Sequence, residues 1–169
     1  MNKAIFLDRD GIINIDKAYV VKIEDFEFSP HIFEVLAYLQ HLDYKLIIVT
    51  NQSGIGRGYY SEKDFETLTK WMVKQCAQNG IMIEAVYHCP HTPEDHCDCR
   101  KPRPKMLEDA MKDYDIDPQN SWMIGDKASD IEAGMNAGIS QTIFVNNTRC
   151  DKAKYNAKTI FDIISIIKE

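Results

Sequence analysis

The chain has 169 residues, enough for one domain with a substantial core, and we expect residues 1–169 to form a single domain. Hydrophobic residues make up 44% and charged residues 27%, which is the composition of a soluble globular protein. The net charge of −6 argues against nucleic acid as the main partner. No apolar run approaches the roughly 20 residues that cross a bilayer, and residues 1–3 leave no room for a signal peptide. We therefore expect a cytoplasmic protein without a membrane partner, present as a monomer.

Strand and helix signals alternate along the whole chain. Near-continuous apolar strands that alternate with amphipathic helices are typical of a parallel sheet covered on both faces. The connections are too short for a separate cap domain, but two of them, 11–29 and 90–103, are longer than a simple connection needs. The predicted strands are 3–8, 45–50, 83–89, 121–126 and 141–146, and the predicted helices are 30–43, 61–79, 104–114, 129–137 and 159–168.

The first strand ends abruptly in two aspartates. An apolar run leads into Asp8 and Asp10, and residues two apart in an extended segment point the same way, so both carboxylates can face one site. Two close carboxylates repel each other unless a cation lies between them or one holds a proton. Both arrangements serve phosphoryl transfer, because Mg²⁺ binds oxygen ligands and an aspartate can attack phosphorus. Two aspartates at this spacing are common, however, and alone they indicate little.

Polar residues follow two other strands and fill one connection. Residues 50–53 (TNQS) offer hydroxyl and backbone N–H groups that suit a phosphate oxygen, although the same residues form ordinary turns. Arg100 and Lys101 lie in a basic segment that could bind phosphate or form a solvated surface. Asp126 follows the fourth strand and would complete a Mg²⁺ site with the first two aspartates. Asp130 is either a partner of that site or an acid favoured by the start of a helix.

Three of the five cysteines lie close to histidines near the connection 90–103. An odd number of cysteines, clustered in this way, fits metal binding in a reducing compartment better than disulfides. Three thiols and one imidazole suit tetrahedral Zn²⁺ with no open position, which indicates a structural site. We expect the neighbouring His88 and His96 to lie outside it. The predicted zinc ligands are Cys89, His91, Cys97 and Cys99.

These elements match, in order and type, the four motifs of the haloacid dehalogenase (HAD) superfamily. Residues 8–11 (DRDG) resemble the first motif and Thr50 the second, while Lys101 resembles the third and residues 125–130 the fourth. The resemblance implies an α/β fold: a Rossmann-like parallel sheet of order 5-4-1-2-3, flanked by helices, with the first motif on the central strand. The fold would lack a cap and carry a zinc-stapled loop.

Within that superfamily the chain is similar to the bacterial D-glycero-D-manno-heptose 1,7-bisphosphate phosphatases. The similarity is carried by residues 6–14 (FLDRDGIIN), by residues 49–58 (VTNQSGIGRG) and by the cysteine segment that runs into residues 97–104 (CDCRKPRP). It implies Mg²⁺-dependent hydrolysis of the C7 phosphate through an aspartyl-phosphate. The product would be heptose 1-phosphate for nucleotide activation, in the synthesis of lipopolysaccharide core or related glycans.

The resemblance also implies roles for individual residues. Asp8 would be the nucleophile, and Asp10 would protonate the leaving oxygen and then activate water. Thr50 and Lys101 would stabilise the transferring phosphoryl group, and Arg100 would contribute to substrate recognition. Asp8, the main-chain carbonyl of Asp10 and Asp126 would hold Mg²⁺. The implied substrate-binding residues are Asp8, Arg9, Asp10, Asp16, Lys17, Ala18, Tyr19, Thr50, Asn51, Gln52, Ser53, Arg100, Lys101 and Lys127.

Four alternative functions compete with this prediction, and the length of the cysteine loop supports the first of them. Only five residues separate His91 from Cys97, which looks like the related histidinol-phosphate phosphatases. A phosphatase acting on nucleic-acid 3′ ends fits an uncapped site but not the acidic charge of the chain. A protein that binds zinc only to interact with a partner, without catalysis, would not need the aspartates, Thr50 and Lys101 that the sequence places near the strand ends. A phosphomutase generally needs a cap that excludes water, and this chain has no residues to build one.

Overall fold

The computed structural model describes residues 1–169. Six strands form one sheet, and every pair of neighbouring strands is parallel. Consecutive parallel strands need crossover connections, and helices supply most of them. The strands are β1 (Ala4–Leu7), β2 (Lys45–Asn51), β3 (Ile83–Cys89), β4 (Trp122–Gly125), β5 (Gln141–Val145) and β6 (Tyr155–Ala157). The helices are α1 (Ile32–His41), α2 (Ser53–Gly56), α3 (Glu62–Gln78), α4 (Lys105–Tyr114), α5 (Ala128–Asn136) and α6 (Ile163–Ile166).

Both faces of the sheet are buried. Alternate residues of β1 belong to different clusters: Ile5 and Leu7 pack with residues of α1, α3 and α6, whereas Ala4 and Phe6 pack with residues of α4 and α5. This division follows from the period of two in a strand, which sends successive side chains to opposite faces. Burial on both sides explains why the central strands are continuously apolar.

The strand order is β3-β2-β1-β4-β5-β6, with β1 in the interior of the sheet. The order of the first five strands agrees with the sequence prediction, but the sheet also contains β6, which pairs with β5 at one edge. The terminal helix is shorter than predicted: residues 160–162 form a 3₁₀ turn, and α6 spans only Ile163–Ile166. None of the helices has the length and apolar character that crossing a bilayer requires.

Helix α3 begins where the sequence predicts. The Ser61 hydroxyl accepts from the Asp64 N–H at 3.1 Å, and the Asp64 carboxylate accepts from the Ser61 N–H at 3.0 Å. This capping box satisfies two N–H groups that a helix start otherwise leaves free.

Candidate active site

Asp8 lies at the carboxyl end of β1, in the middle of the polar edge of the sheet. Its N–H donates to the carbonyl of Ile124 on β4, which extends the pairing of the two strands by one residue. The side chain is almost fully buried, and its Oδ1 lies 3.0 Å from the Lys101 ammonium nitrogen. Lys101 also donates to the Val49 carbonyl at 2.6 Å. A buried carboxylate is thus paired with a buried cation whose position the sheet fixes.

Asp130, on the first turn of α5, is a second acidic partner of Lys101. Its Oδ1 lies 2.7 Å from the Lys101 nitrogen, and its Oδ2 accepts from the Lys127 N–H at 3.1 Å. Burial alone would lower the pKa of Lys101, but Asp130 and Asp8 raise it overall, so the ammonium stays charged. Burial and the nearby Asp130 raise the pKa of Asp8 to about 7, with Lys101 opposing them. Asp130 is therefore a partner of Lys101 and not only an acid at a helix start.

Asp126 and Lys127 follow β4 and face the same centre. The Lys127 ammonium lies 3.3 Å from Asp126 Oδ1 and 3.9 Å from Asp8 Oδ2, and it also reaches Asp16 Oδ2 at 3.7 Å. Gly11 makes this approach possible: a Cβ there would lie 2.0 Å from Asp126 Oδ2, and its φ of 93° favours glycine. A glycine after the two aspartates is thus required for Asp126 to come close to Asp8.

Asp10 is held on both of its carboxylate oxygens. Its Oδ1 accepts from Arg9 Nη2 at 2.8 Å and from Asn14 Nδ2 at 3.0 Å. Its Oδ2 accepts from Gln52 Nε2 at 3.1 Å. Arg9 is almost fully buried and also donates to the Val20 carbonyl, so it supports Asp10 from behind. These three donors hold the Asp10 carboxylate at the wall of a cavity, described below, where it stays partly accessible to a ligand.

Asn51 connects the second strand to the Lys101 segment. Its Oδ1 accepts from the Lys101 N–H at 3.0 Å, and its Nδ2 donates to the Lys101 carbonyl at 3.2 Å. These two hydrogen bonds hold the backbone of Lys101, the residue that carries the buried ammonium. Thr50 is fully buried, and its hydroxyl accepts from Gln52 Nε2 at 2.9 Å.

A cavity of about 310 Å³ opens over these groups at the carboxyl edge of the sheet. The structure brings eleven of the predicted substrate-binding residues to its lining, but not Arg9, Lys17 or Thr50: Arg9 and Thr50 are buried beside it, and Lys17 pairs with Glu27 on the surface. Tyr60 and Ser129 also line the cavity, although no pattern in the sequence indicated them. The full lining is Asp8, Asp10, Asp16, Ala18, Tyr19, Asn51, Gln52, Ser53, Tyr60, Arg100, Lys101, Lys127, Ser129 and Asp130.

The carboxylates of this edge suit a divalent cation. One oxygen from each of Asp8, Asp126 and Asp130 lies within 4.8 Å of the others. Because both oxygens of Asp130 already accept hydrogen bonds, Asp8 and Asp126 are the carboxylates left for a metal ion. The main-chain carbonyl of Asp10 accepts no hydrogen bond and offers a third oxygen ligand. Such an all-oxygen set fits Mg²⁺, a hard cation.

The four predicted zinc ligands form one cluster beside the cavity. Their sulfur and nitrogen donors lie within 4.8 Å of one another. The Nδ1 atom of His91 is 3.3 Å from the Cys99 sulfur and 3.5 Å from the Cys89 sulfur. Cys89 and Cys99 are in disulfide contact, so these two sulfurs would have to separate around a metal ion. His88 lies outside the cluster, where it contacts Glu62. The cluster therefore has a donor set that can hold a metal.

The cysteine–histidine cluster is joined to the cavity by a hydrogen bond. Arg100 Nη1 donates to the His91 carbonyl at 3.5 Å, and Arg100 lines the cavity. Arg100 takes part in no ion pair with an acidic side chain of the protein. Its charge is consequently available to an anionic ligand.

Known proteins resemble the chain over nearly its full length. A Campylobacter jejuni protein named D-glycero-alpha-D-manno-heptose-1,7-bisphosphate 7-phosphatase is 49% identical over 168 residues, which cover 99% of this chain and 96% of that protein. The chain belongs to the heptose-1,7-bisphosphate 7-phosphatase family. A Helicobacter pylori member of the family, named as the beta form, is 46% identical over 170 residues, or 99% of this chain and 98% of that protein. The HAD-hydrolase-like family model also matches residues 98–164.

Solved structures agree with the family and the fold. The heptose 1,7-bisphosphate phosphatase of B. bronchiseptica, crystallised with magnesium and phosphate, superposes with a TM-score of 0.85 at 29% identity, over 97% of each chain. The predicted membership of the HAD superfamily and the parallel-sheet fold are thus confirmed, and the chain is a phosphoric monoester hydrolase.

Proposed function

We propose that this protein removes the C7 phosphate of D-glycero-D-manno-heptose 1,7-bisphosphate and releases heptose 1-phosphate. The observation that carries the proposal is the buried Asp8–Lys101 pair beneath a polar cavity, in a chain that aligns end to end with heptose bisphosphate phosphatases. The product would serve nucleotide-heptose synthesis for lipopolysaccharide core. We also propose that the enzyme acts as a cytoplasmic monomer on this small phosphorylated sugar and does not bind nucleic acid.

Asp8 would attack phosphorus as the nucleophile. A bond forms between its carboxylate oxygen and phosphorus while the bond from phosphorus to the C7 oxygen breaks, which gives an aspartyl-phosphate. Lys101 lies 3.0 Å from the attacking carboxylate and would balance the charge on the phosphoryl oxygens, assisted by Thr50. Because Lys101 is held by Val49 and Asp130, the cation would need no rearrangement when the reaction occurs.

Asp10 would act twice on protons. As an acid it gives a proton to the departing C7 oxygen, and as a base it takes one from the water that hydrolyses the aspartyl-phosphate. Its place at the cavity wall, two residues from Asp8, supports both steps. The second step returns Asp8 as a free carboxylate and releases inorganic phosphate.

Asp8, Asp126 and the main-chain carbonyl of Asp10 would hold the catalytic Mg²⁺. When bound, the cation would supply positive charge that offsets the charge of the carboxylates and of the phosphate oxygens. Lys127, whose pKa the acidic groups around it raise overall against the effect of burial, would provide a further positive charge at this side.

We assign a structural Zn²⁺ to Cys89, His91, Cys97 and Cys99. The segment that carries these residues has few apolar side chains to bury, so a metal ion would supply much of its stability. Through the hydrogen bond from Arg100 to His91, the zinc site would also hold Arg100 at the cavity, where it recognises the substrate. Of the predicted substrate-binding residues, those of segments 16–19 and 51–53 that line the cavity would contact the sugar. Arg9 would instead support Asp10 from behind, and Lys17 would stay paired with Glu27 on the surface.

Phosphate release from a panel of substrates tests the proposal. The panel contains the α and β anomers of heptose 1,7-bisphosphate, histidinol phosphate, fructose 1,6-bisphosphate and a 3′-phosphorylated oligonucleotide, each assayed with Mg²⁺. We expect kcat/KM to be highest for a heptose 1,7-bisphosphate, because the relatives named for the alpha and the beta form are all heptose bisphosphate phosphatases. A higher kcat/KM for histidinol phosphate or for the oligonucleotide would contradict the assignment of the substrate.

A further inference from the structure

Tyr60 is a buried phenol at the cavity that the reaction described above does not use. Tyr60 comes four residues after the short helix α2 in the chain, and only 8% of its surface is exposed. Gly54 makes room for the ring, because a Cβ at position 54 would lie 2.2 Å from Tyr60 Cε1. The close approach brings the Tyr60 hydroxyl 2.5 Å from Gln52 Oε1. The turn is thus built so that this hydroxyl meets the Gln52 amide.

The Gln52 amide can adopt two orientations of nearly equal shape, with its oxygen and nitrogen exchanged. Only one of them places the N–H groups toward Asp10 Oδ2, at 3.1 Å, and the Thr50 hydroxyl, at 2.9 Å. In the other orientation the amide oxygen would face the Asp10 carboxylate and repel it. The Asp10 carboxylate, which only accepts hydrogen bonds, excludes that orientation, and the Tyr60 hydroxyl holds the amide in the first one by donating to Oε1. Burial raises the pKa of Tyr60 to about 12, so the phenol keeps the proton that it donates.

We propose that Tyr60 is a positioning residue for Asp10, acting through the Gln52 amide. Arg9 and Asn14 bind one oxygen of Asp10, and the oriented Gln52 amide binds the other, so the plane of the carboxylate is fixed from both sides. A general acid must hold its proton within hydrogen-bond reach of the leaving oxygen. This inference rests on the proposed phosphatase mechanism, in which Asp10 protonates that oxygen.

The variant Tyr60→Phe tests the proposal, because it keeps the ring against Gly54 and removes only the hydroxyl. Formation of the phosphoenzyme is measured in a single turnover with two substrates. The sugar phosphate is heptose 1,7-bisphosphate, whose leaving group is an alkoxide that needs a proton. The second substrate, p-nitrophenyl phosphate, releases a stable phenolate that needs none. We expect the rate with the sugar phosphate to fall about tenfold and the rate with p-nitrophenyl phosphate to change less than about twofold.

Tyr38→Phe is the matched control. It removes another partly buried phenol hydroxyl, which donates to the Ile167 carbonyl at 2.6 Å and does not line the cavity. We expect this control to change neither rate. Equal losses of Tyr60→Phe on both substrates, or no loss on the sugar phosphate, would overturn the positioning role. A wild-type enzyme that acts on neither substrate would instead contradict the proposed function, so the two failures are distinguishable.

Discussion

The buried charge of Asp8 is the main electrostatic feature of the candidate site at the scale of single residues. Asp8 has the most unfavourable surroundings, because its carboxylate is buried near Asp126 and Asp130 and is balanced mainly by Lys101. The raised pKa of Asp8 expresses this cost in the absence of a metal ion. A residue of this kind is expected to be more valuable for function than for stability.

Asp8→Asn should therefore abolish turnover without unfolding the protein. The amide cannot attack phosphorus, so kcat should fall by more than about a thousandfold. Because the substitution removes a buried charge and Lys101 keeps its contact with Asp130, we expect the melting temperature of the metal-free protein to stay the same or to rise. Turnover assays and thermal unfolding check both statements. Activity close to wild type would exclude Asp8 as the nucleophile.

Asn51 should act on the reaction through the backbone of Lys101. Asn51→Ala removes both hydrogen bonds that fix this backbone, and we expect kcat to fall about tenfold because the ammonium is then less well placed. Asn79→Ala serves as the control, since Asn79 bonds only a carbonyl at the exposed end of α3. If kcat of Asn51→Ala matched that of the control, the connection between β2 and Lys101 would have no role in catalysis.

At the scale of elements, the sequence predicted what periodicity and strand-end residues encode. Strands β1 to β5 are apolar runs followed by polar residues, so their order and the gathering of Asp8, Thr50 and Asp126 followed from the HAD resemblance. Strand β6 was missed because its three residues, Tyr155–Ala157, have a polar centre and no apolar run. Tyr60 was missed because its link to Gln52 depends on the path of a four-residue helix, which no local pattern reveals.

The cysteine–histidine segment is the element whose stability should depend on metal. Cys99→Ser removes one of four donors, so we expect the zinc content per chain to fall and the melting temperature to drop by at least about 5 °C. Cys150→Ser is the control, because Cys150 is a free cysteine outside the cluster. Metal analysis, thiol titration and thermal unfolding provide the measurements. Full zinc content in Cys99→Ser would refute the ligand set.

At the scale of the whole molecule, two groups of candidate metal ligands differ in the type of donor atom. The oxygen site lies at the carboxyl edge of the sheet, and the sulfur and nitrogen site lies in the loop beside it. Hard cations prefer oxygen, whereas zinc prefers sulfur and nitrogen. The difference in ligand type should therefore separate the effects of the two metals.

Brief treatment with EDTA should stop turnover, and Mg²⁺ alone should restore it. We expect this result because weakly held Mg²⁺ leaves the oxygen site before zinc leaves a closed set of four strong ligands. Activity and zinc content are measured in the same samples, with Ca²⁺ added to a parallel sample as the control cation. If activity returned only with Zn²⁺, the assigned roles of the two metals would be reversed.

The cavity is bordered by loops and by the ends of β2, α2 and α5, and no inserted domain extends over the carboxyl edge of the sheet. The phosphoryl chemistry would depend on strand ends fixed by the sheet, while Tyr19 and Arg100 on the rim of the cavity belong to two connections outside the strands. Substrate preference can consequently diverge through insertions and deletions in these segments without disturbing the reaction centre. Enzymes for chemically distant phosphomonoesters can thus evolve from a single ancestral scaffold by exchanging rims.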